Sequence, residues 1–175
     1  MLSEKEFLEA ELKMGIHYDN PNFRKLAEKT YEQIKDLPFE TVIDYGCGTG
    51  AYSRVLHDKG CKVIAQDISK AHRDYVKENH PDLKVVARPV VSDLMYFIEV
   101  AEHMTDEEIV KAIEKIDPSF ILFSSTSKTT ENDTDWGHIN IKPQSEWITF
   151  WQSMGYEVMK ELKYPTAWSK LLRKI

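Results

Sequence analysis

Val42-Ile43-Asp44-Tyr45-Gly46-Cys47-Gly48-Thr49-Gly50 runs from an apolar strand into an acid and then into three glycines at alternate positions. Glycine accepts a positive φ and leaves open the space a Cβ would fill, so such a turn lets a ligand approach the backbone closely. The next stretch, Ala51 to Lys59, reads as a helix stopped by Gly60. The turn therefore sits at a strand-to-helix junction with the helix amino terminus facing the ligand. A dinucleotide loop shows G-x-G-x-x-G with no acid just ahead, and a phosphate-binding P-loop needs G-K-[ST]. Neither pattern is present, and a nucleoside-bearing cofactor is the expectation.

Short apolar runs alternate with amphipathic stretches along the rest of the chain, which predicts a parallel sheet with helices on its faces. Strands are expected at Thr41 to Tyr45, Lys62 to Gln66, Leu83 to Ala87, Asp93 to Glu99 and Phe120 to Ser124. Ser69 should cap a helix running to Asn79, and Thr105-Asp106-Glu107-Glu108 is a capping box for one ending near Ile116. Ser125 to Asp135 is polar and aperiodic, a loop placed to act as a lid or substrate loop. A helix from Pro143 to Met154 follows, and then two strands, Tyr156 to Leu162 and Ala167 to Arg173, joined closely enough to be antiparallel. Ser3 to Met14 and Pro21 to Lys35 read as helices that pack on the sheet or cover the ligand site. The fold class expected is α/β: Rossmann-like, doubly wound and mostly parallel, with a carboxyl-terminal antiparallel hairpin. It forms a single domain over residues 1–175, with amino-terminal helices in 1–37 and the core in 38–175.

At 42% hydrophobic residues the chain can fill one core, and a net charge of −6 argues against a protein that holds nucleic acid through a broad basic surface. No apolar run is long enough to span a membrane, and Met1 to Leu12 is too rich in glutamate and lysine for a secretion signal, so a cytoplasmic location is expected. Cys47 and Cys61 are too few for a disulfide framework and read as small buried thiols.

Two further places carry chemistry. Asp67 ends the second strand, where the ribose of a nucleoside held by the first loop would project and a carboxylate can accept from its hydroxyls. Glu99, Glu102 and His103 lie at i, i+3 and i+4 after the fourth strand, so a chain that coils there turns all three the same way, along the open carboxyl edge of the sheet.

Asp44 followed by G-x-G-x-G resembles the first motif of the class I S-adenosylmethionine-dependent methyltransferases, and many of them carry a segment similar to Glu99-Val100-Ala101-Glu102-His103. The resemblance implies S-adenosylmethionine as cofactor. Asp44, Gly46, Gly48, Gly50, Asp67 and Glu99 would hold it, with Asp44 helping to organise its ammonium end. It implies methylation of an oxygen or nitrogen on a small-molecule acceptor, with Glu102, His103 and His138 as the catalytic group and no resident metal expected. In the related enzymes that modify the 3′-terminal ribose of small RNAs, the two glutamates and the histidine of this segment hold a divalent metal with one further histidine, a place His138 would take. That is the alternative reading, and a protein that binds or degrades the cofactor without passing on its methyl group is a third.

The chain departs from the family between strands three and four, where members normally carry a helix. In the family's strand order that link crosses three strand spacings of about 4.8 Å and returns down the sheet, a demand somewhat over 20 Å. Arg88-Pro89-Val90-Val91-Ser92 spans at most about 18 Å. A crossover helix is thus excluded, strand three must be short, and the adenine side of the site lacks a usual wall.

Overall fold

The computed structural model describes residues 1–131 and 133–175. Two helices come first, α1 (Glu4–Lys13) and α2 (Pro21–Glu32), followed by β1 (Thr41–Tyr45), α3 (Ala51–Asp58), β2 (Lys62–Gln66), α4 (Lys70–Asn79) and the three-residue β3 (Lys84–Val86). Then come β4 (Leu94–Ile98), a single 3-10 turn over Ala101–His103, α5 (Asp106–Ile116) and β5 (Phe120–Ser124). The short α6 (Asp133–Trp136), α7 (Gln144–Ser153), β6 (Tyr156–Glu161) and β7 (Lys170–Lys174) complete the chain. One seven-stranded sheet runs β3-β2-β1-β4-β5-β7-β6. Its first five strands are parallel, and β7 pairs antiparallel with both β5 and β6. The expected Rossmann-like sheet with its carboxyl-terminal antiparallel pair is the one observed.

The core divides between the two faces. On one, Leu56 of α3 and Val76 of α4 pack with Val42, Val63 and Leu94; on the other, Ile109, Ile113 and Ile116 of α5 meet Trp147 and Trp151 of α7 against Met95, Phe97 and Phe123. Both tryptophans are fully buried, which explains their spacing of one helical turn. Thr105 and Glu108 form the expected capping box of α5, and Ser69 caps α4. Cys47 is buried and Cys61 half-buried, and both are free thiols.

The link from β3 to β4 contains no helix. It crosses on the α5 face: Val90 packs into that side of the core, Ser92 N–H donates to the Ile116 carbonyl at 3.1 Å, and Val91 is left exposed. The strand before it is cut to three residues rather than the five read from Leu83 to Ala87. Asp93 anchors the far end, where its Oδ2 accepts from the backbone N–H of Glu40 and Thr41 at 3.0 and 2.8 Å and so fixes β4 beside β1.

Three local expectations need correcting. The final strand begins at Lys170 rather than Ala167, because Ser169 N–H donates to the Thr166 carbonyl and the Ser169 hydroxyl accepts from Thr166 N–H, which folds 166–169 into a turn. The polar loop after β5 acquires the short α6 before it ends, as Thr130 N–H and its hydroxyl both donate to Asp133; Asn132, inside that stretch, lies outside the described residues. Finally, Glu99 does not share the direction of Glu102 and His103. Its φ of +52° breaks the coil before it starts, and the 3-10 turn opens two residues later.

Candidate active site

The carboxyl ends of β1, β2 and β4 meet at the glycine loop. Gly46 has a φ of +71°, and a Cβ there would stand 2.5 Å from a Val100 methyl, so the loop and the turn after β4 are in direct contact only because the residue is glycine. Most amides of the loop are engaged internally. Gly46 N–H donates to the Gln66 side chain, Cys47 N–H to the Gln66 carbonyl, Gly48 N–H to Asp67 Oδ2 and Gly50 N–H to the Cys47 carbonyl.

Asp44 lies beneath the loop, fully buried, where its carboxylate accepts from the Ser53 hydroxyl at 2.5 Å. Burial pushes its pKa up to about 6, against the opposing hydrogen bonds from Ser53. Asp67 sits at the tip of β2 with one oxygen on Gly48 N–H at 3.0 Å and the other on Ser69 N–H at 2.8 Å. Burial raises its pKa too, and the neighbouring His72 works against that.

A cavity of about 240 Å³ opens beside the loop, lined by Gly46, Cys47 and Gly48 and closed by Phe23 of α2, by Glu99 and by Thr166 from the β6–β7 turn. That is below the roughly 300–1,000 Å³ of pockets that enclose a drug-sized ligand. It admits part of a nucleoside cofactor, not the whole. The charged side chains on its wall are the carboxylates of Glu11 and Glu99. An ammonium or sulfonium fits that lining and an anion does not. Glu99 is fixed by Ser124, whose hydroxyl donates to it, and by Trp168 Nε1–H at 3.3 Å. Ser124 in turn bonds Thr166 at 3.0 Å, tying the β6–β7 turn into the wall.

Next to the cavity, Glu102, His103 and His138 each present one side-chain atom within 4.8 Å of the other two. The backbone arranges this, because the Glu102 carbonyl accepts from Ile139 N–H at 2.8 Å and from Asn140 N–H at 3.0 Å, which draws His138 over the 3-10 turn. The His103 and His138 rings are 4.8 Å apart. Glu102 is buried and accepts from Ser125 Oγ at 3.0 Å; burial, with the nearby Glu99 carboxylate adding to it, pushes its pKa up to about 8. His103 moves the other way, below the usual histidine value, through burial and then through His138. At neutral pH the group therefore holds a protonated carboxyl and an uncharged His103. His138 Nδ1 lies 2.9 Å from Asp133 Oδ1. A carboxylate only accepts, so Nδ1 carries a proton, and in the neutral ring the lone pair is then on Nε2.

Of the residues assigned from sequence, Gly46, Gly48 and Glu99 line the cavity, Glu102, His103 and His138 converge beside it, and Asp44 and Asp67 brace the loop. Gly50, with a φ of +77°, is the N-cap of α3. Sequence reading missed Glu11, Phe7 and His72, which join α1 to α4, and Asp133, which orients His138. The spacing Glu4, Phe7, Glu11 marks a single helix face, but nothing in the sequence says what that face meets.

Residues 17–161 match a family described as methyltransferase domain. Over 83 residues, 43% of this chain and 33% of the relative, the sequence is 31% identical to a malonyl-[acyl-carrier protein] O-methyltransferase of Enterobacter lignolyticus; the chain thus spans a third of that curated relative. Among solved structures, the magnesium protoporphyrin IX methyltransferase of Synechocystis with bound S-adenosylhomocysteine has a TM-score of 0.63 at 17% identity, over 85% of this chain and 81% of that one. The complex between the Haloferax volcanii Trm112 methyltransferase activator and the putative methyltransferase gives a TM-score of 0.66 at 14% identity, over 99% of this chain and 97% of that one. The resemblance read from Asp44 to Gly50 is borne out, and the chain belongs to the methyltransferase-domain family.

Proposed function

We propose that this chain is an S-adenosylmethionine-dependent methyltransferase that methylates an oxygen or nitrogen of a small molecule. The observation that carries the proposal is the joining of two sites: a glycine-lined, anionic cavity at the sheet's carboxyl edge, and beside it a histidine whose Nε2 lone pair is set by a carboxylate. Bound at the loop, S-adenosylmethionine supplies an electrophilic methyl group on a positively charged sulfur. Glu99, on the cavity wall, favours that charge. His138 Nε2 accepts the proton of the acceptor hydroxyl or amine as the new bond forms, and Asp133 stabilises the imidazolium that results. Glu102, kept protonated, spares the acceptor a second buried anion. Little more is required, because in-line displacement depends chiefly on positioning. The O-methyltransferase name of the Enterobacter relative supports oxygen as the accepting atom.

Titration calorimetry with S-adenosylmethionine and S-adenosylhomocysteine tests the cofactor, and transfer of labelled methyl to a panel of small hydroxy acids, carboxy acids and amines tests the reaction. Absence of binding by either nucleoside sinks the proposal. Binding without transfer to any acceptor favours a cofactor-binding or cofactor-degrading protein.

The convergence of Glu102, His103 and His138 favours one second reading, in which these three hold a divalent cation that lowers the pKa of a coordinated ribose hydroxyl at an RNA end. The net charge of −6 weighs against an RNA partner. Stimulation of methyl transfer to RNA by manganese, lost in His138→Ala, supports this reading over the first.

A further inference from the structure

Helix α1 buries none of its own residues, yet it reaches three different elements. Glu4, Phe7 and Glu11 share one face of it. The Glu4 carboxylate accepts from Ala71 N–H at 3.2 Å and from Ser69 Oγ at 3.3 Å, both at the amino terminus of α4. Glu11 Oε2 lies 2.9 Å from His72 Nε2, with both side chains largely buried. Between them the Phe7 ring meets His72 and His103 edge-on at 5.9 Å each, and Trp136 at 5.1 Å. Ahead of the helix, Leu2 N–H donates to the Asp135 carbonyl at 3.0 Å. One helix face thus spans the cleft from the turn after β2 to the turn after β4.

The nucleoside half of the cofactor proposed above belongs at the β2 end of that span, where Asp67 stands. A ribose accepted by Asp67 would lie over Gly48 and beside His72. Phe7 stands against His72. Over Gly48, Glu11 Oε1 comes within 3.3 Å of the point where a Cβ would sit, so the close approach that glycine permits is taken by the chain's own carboxylate. Both oxygens of Asp67 are meanwhile occupied by backbone N–H groups. The cavity beside the loop has Glu11 and Gly48 in its wall and, at about 240 Å³, holds only part of the cofactor.

We infer that α1 is a displaceable plug: its Glu4–Phe7–Glu11 face closes the nucleoside half of the cleft, and the cofactor enters when Glu11 leaves His72 and the helix lifts. The inference rests on the cofactor reading proposed above. The anchors suit such a role, being a few polar contacts and one aromatic ring with no buried aliphatic side chain of α1 beneath them. The hinge is at hand in the turn after the helix, where Gly15 has a φ of +75°.

Stopped-flow binding of S-adenosylhomocysteine to the full chain, followed by tryptophan fluorescence because Trp136 touches Phe7, tests the plug. In the parent protein the observed rate levels off with ligand concentration at the rate of lifting. Phe7→Ala and Glu11→Ala raise that ceiling and tighten binding, each by about tenfold, since the closed state no longer taxes affinity. Weaker binding with an unchanged ceiling in both variants makes α1 a fixed wall of the site and overturns the inference. Trypsin cleavage after Lys13 in the parent protein gives an independent readout: the ligand accelerates cleavage if α1 lifts, and protection overturns the plug. Failure of S-adenosylhomocysteine to bind any of the three proteins, Phe7→Ala included, overturns the cofactor reading itself, whereas binding with unchanged rates removes only the plug.

Discussion

Asp133 holds His138 through a 2.9 Å contact between Oδ1 and Nδ1, and is itself held by the backbone N–H and hydroxyl of Thr130. A short polar turn thereby sets the tautomer of the proposed base. Asp133→Ala should lower kcat by about 10- to 100-fold, the usual cost of removing the partner that orients a functional imidazole. His138→Ala should lower it by about 10²–10⁴. Calorimetry should show cofactor affinity unchanged in both, and a loss of affinity would move His138 into the cofactor site instead.

Glu102 should make the protein less stable as pH rises. Its carboxyl keeps a proton up to about pH 8 in the fold but sheds it near the ordinary glutamate value when unfolded, so the unfolded state binds fewer protons throughout that interval. Glu102→Gln mimics the protonated form. It should match the parent's Tm near pH 5 and exceed it at pH 8 by on the order of 2–6 °C, read by calorimetric scans at the two pH values. Equal Tm values at pH 8 would show that Glu102 ionises freely in the fold.

Gly46→Ala should destabilise by about 2–3 kcal/mol, because the added methyl lands on Val100 at a φ that an L-residue rarely adopts. Denaturant melts should show partial rescue by Val100→Ala, which relieves the clash and leaves the backbone strain. Full additivity of the two changes would mean that they do not touch.

Asp93 ties the start of β4 to the start of β1 through three hydrogen bonds to one carboxylate oxygen, from Glu40 N–H, Thr41 N–H and the Thr41 hydroxyl. The Thr41 and Glu40 amides hold its carboxyl below the ordinary aspartate range. The contribution is therefore present above that range and lost as pH falls through the folded value. Asp93→Ala should cost about 1–3 kcal/mol near pH 7 and markedly less near pH 3, measured by urea unfolding at both.

Most of the sheet was legible because its strands are short apolar runs bounded by glycine, proline or an acid, and β1, β2 and β5 fall where the pattern places them. The crossover without a helix was legible from reach alone, since five residues cannot bridge three strand spacings with a helical rise. Glu99 was not. Nothing in a run of six residues after a strand announces that a glutamate will take a left-handed φ, and only its bonds to Ser124 and Trp168, 25 and 69 residues away, account for that conformation. Asp133 and His72 were hidden for a similar reason. Each matters through a partner that the fold supplies, while in the sequence one is an ordinary acid in a polar loop and the other a histidine in a charged helix.

The three-residue β3 also bears on how copies of this protein meet one another. A rim that short offers another chain few unpaired backbone groups, and the opposite rim, β6, slips register between Val158 and Lys160 and ends in the exposed, charged pair Lys160 and Glu161. Neither border of the sheet is a template for an added strand, so the shortening of β3 also guards against edge-to-edge aggregation.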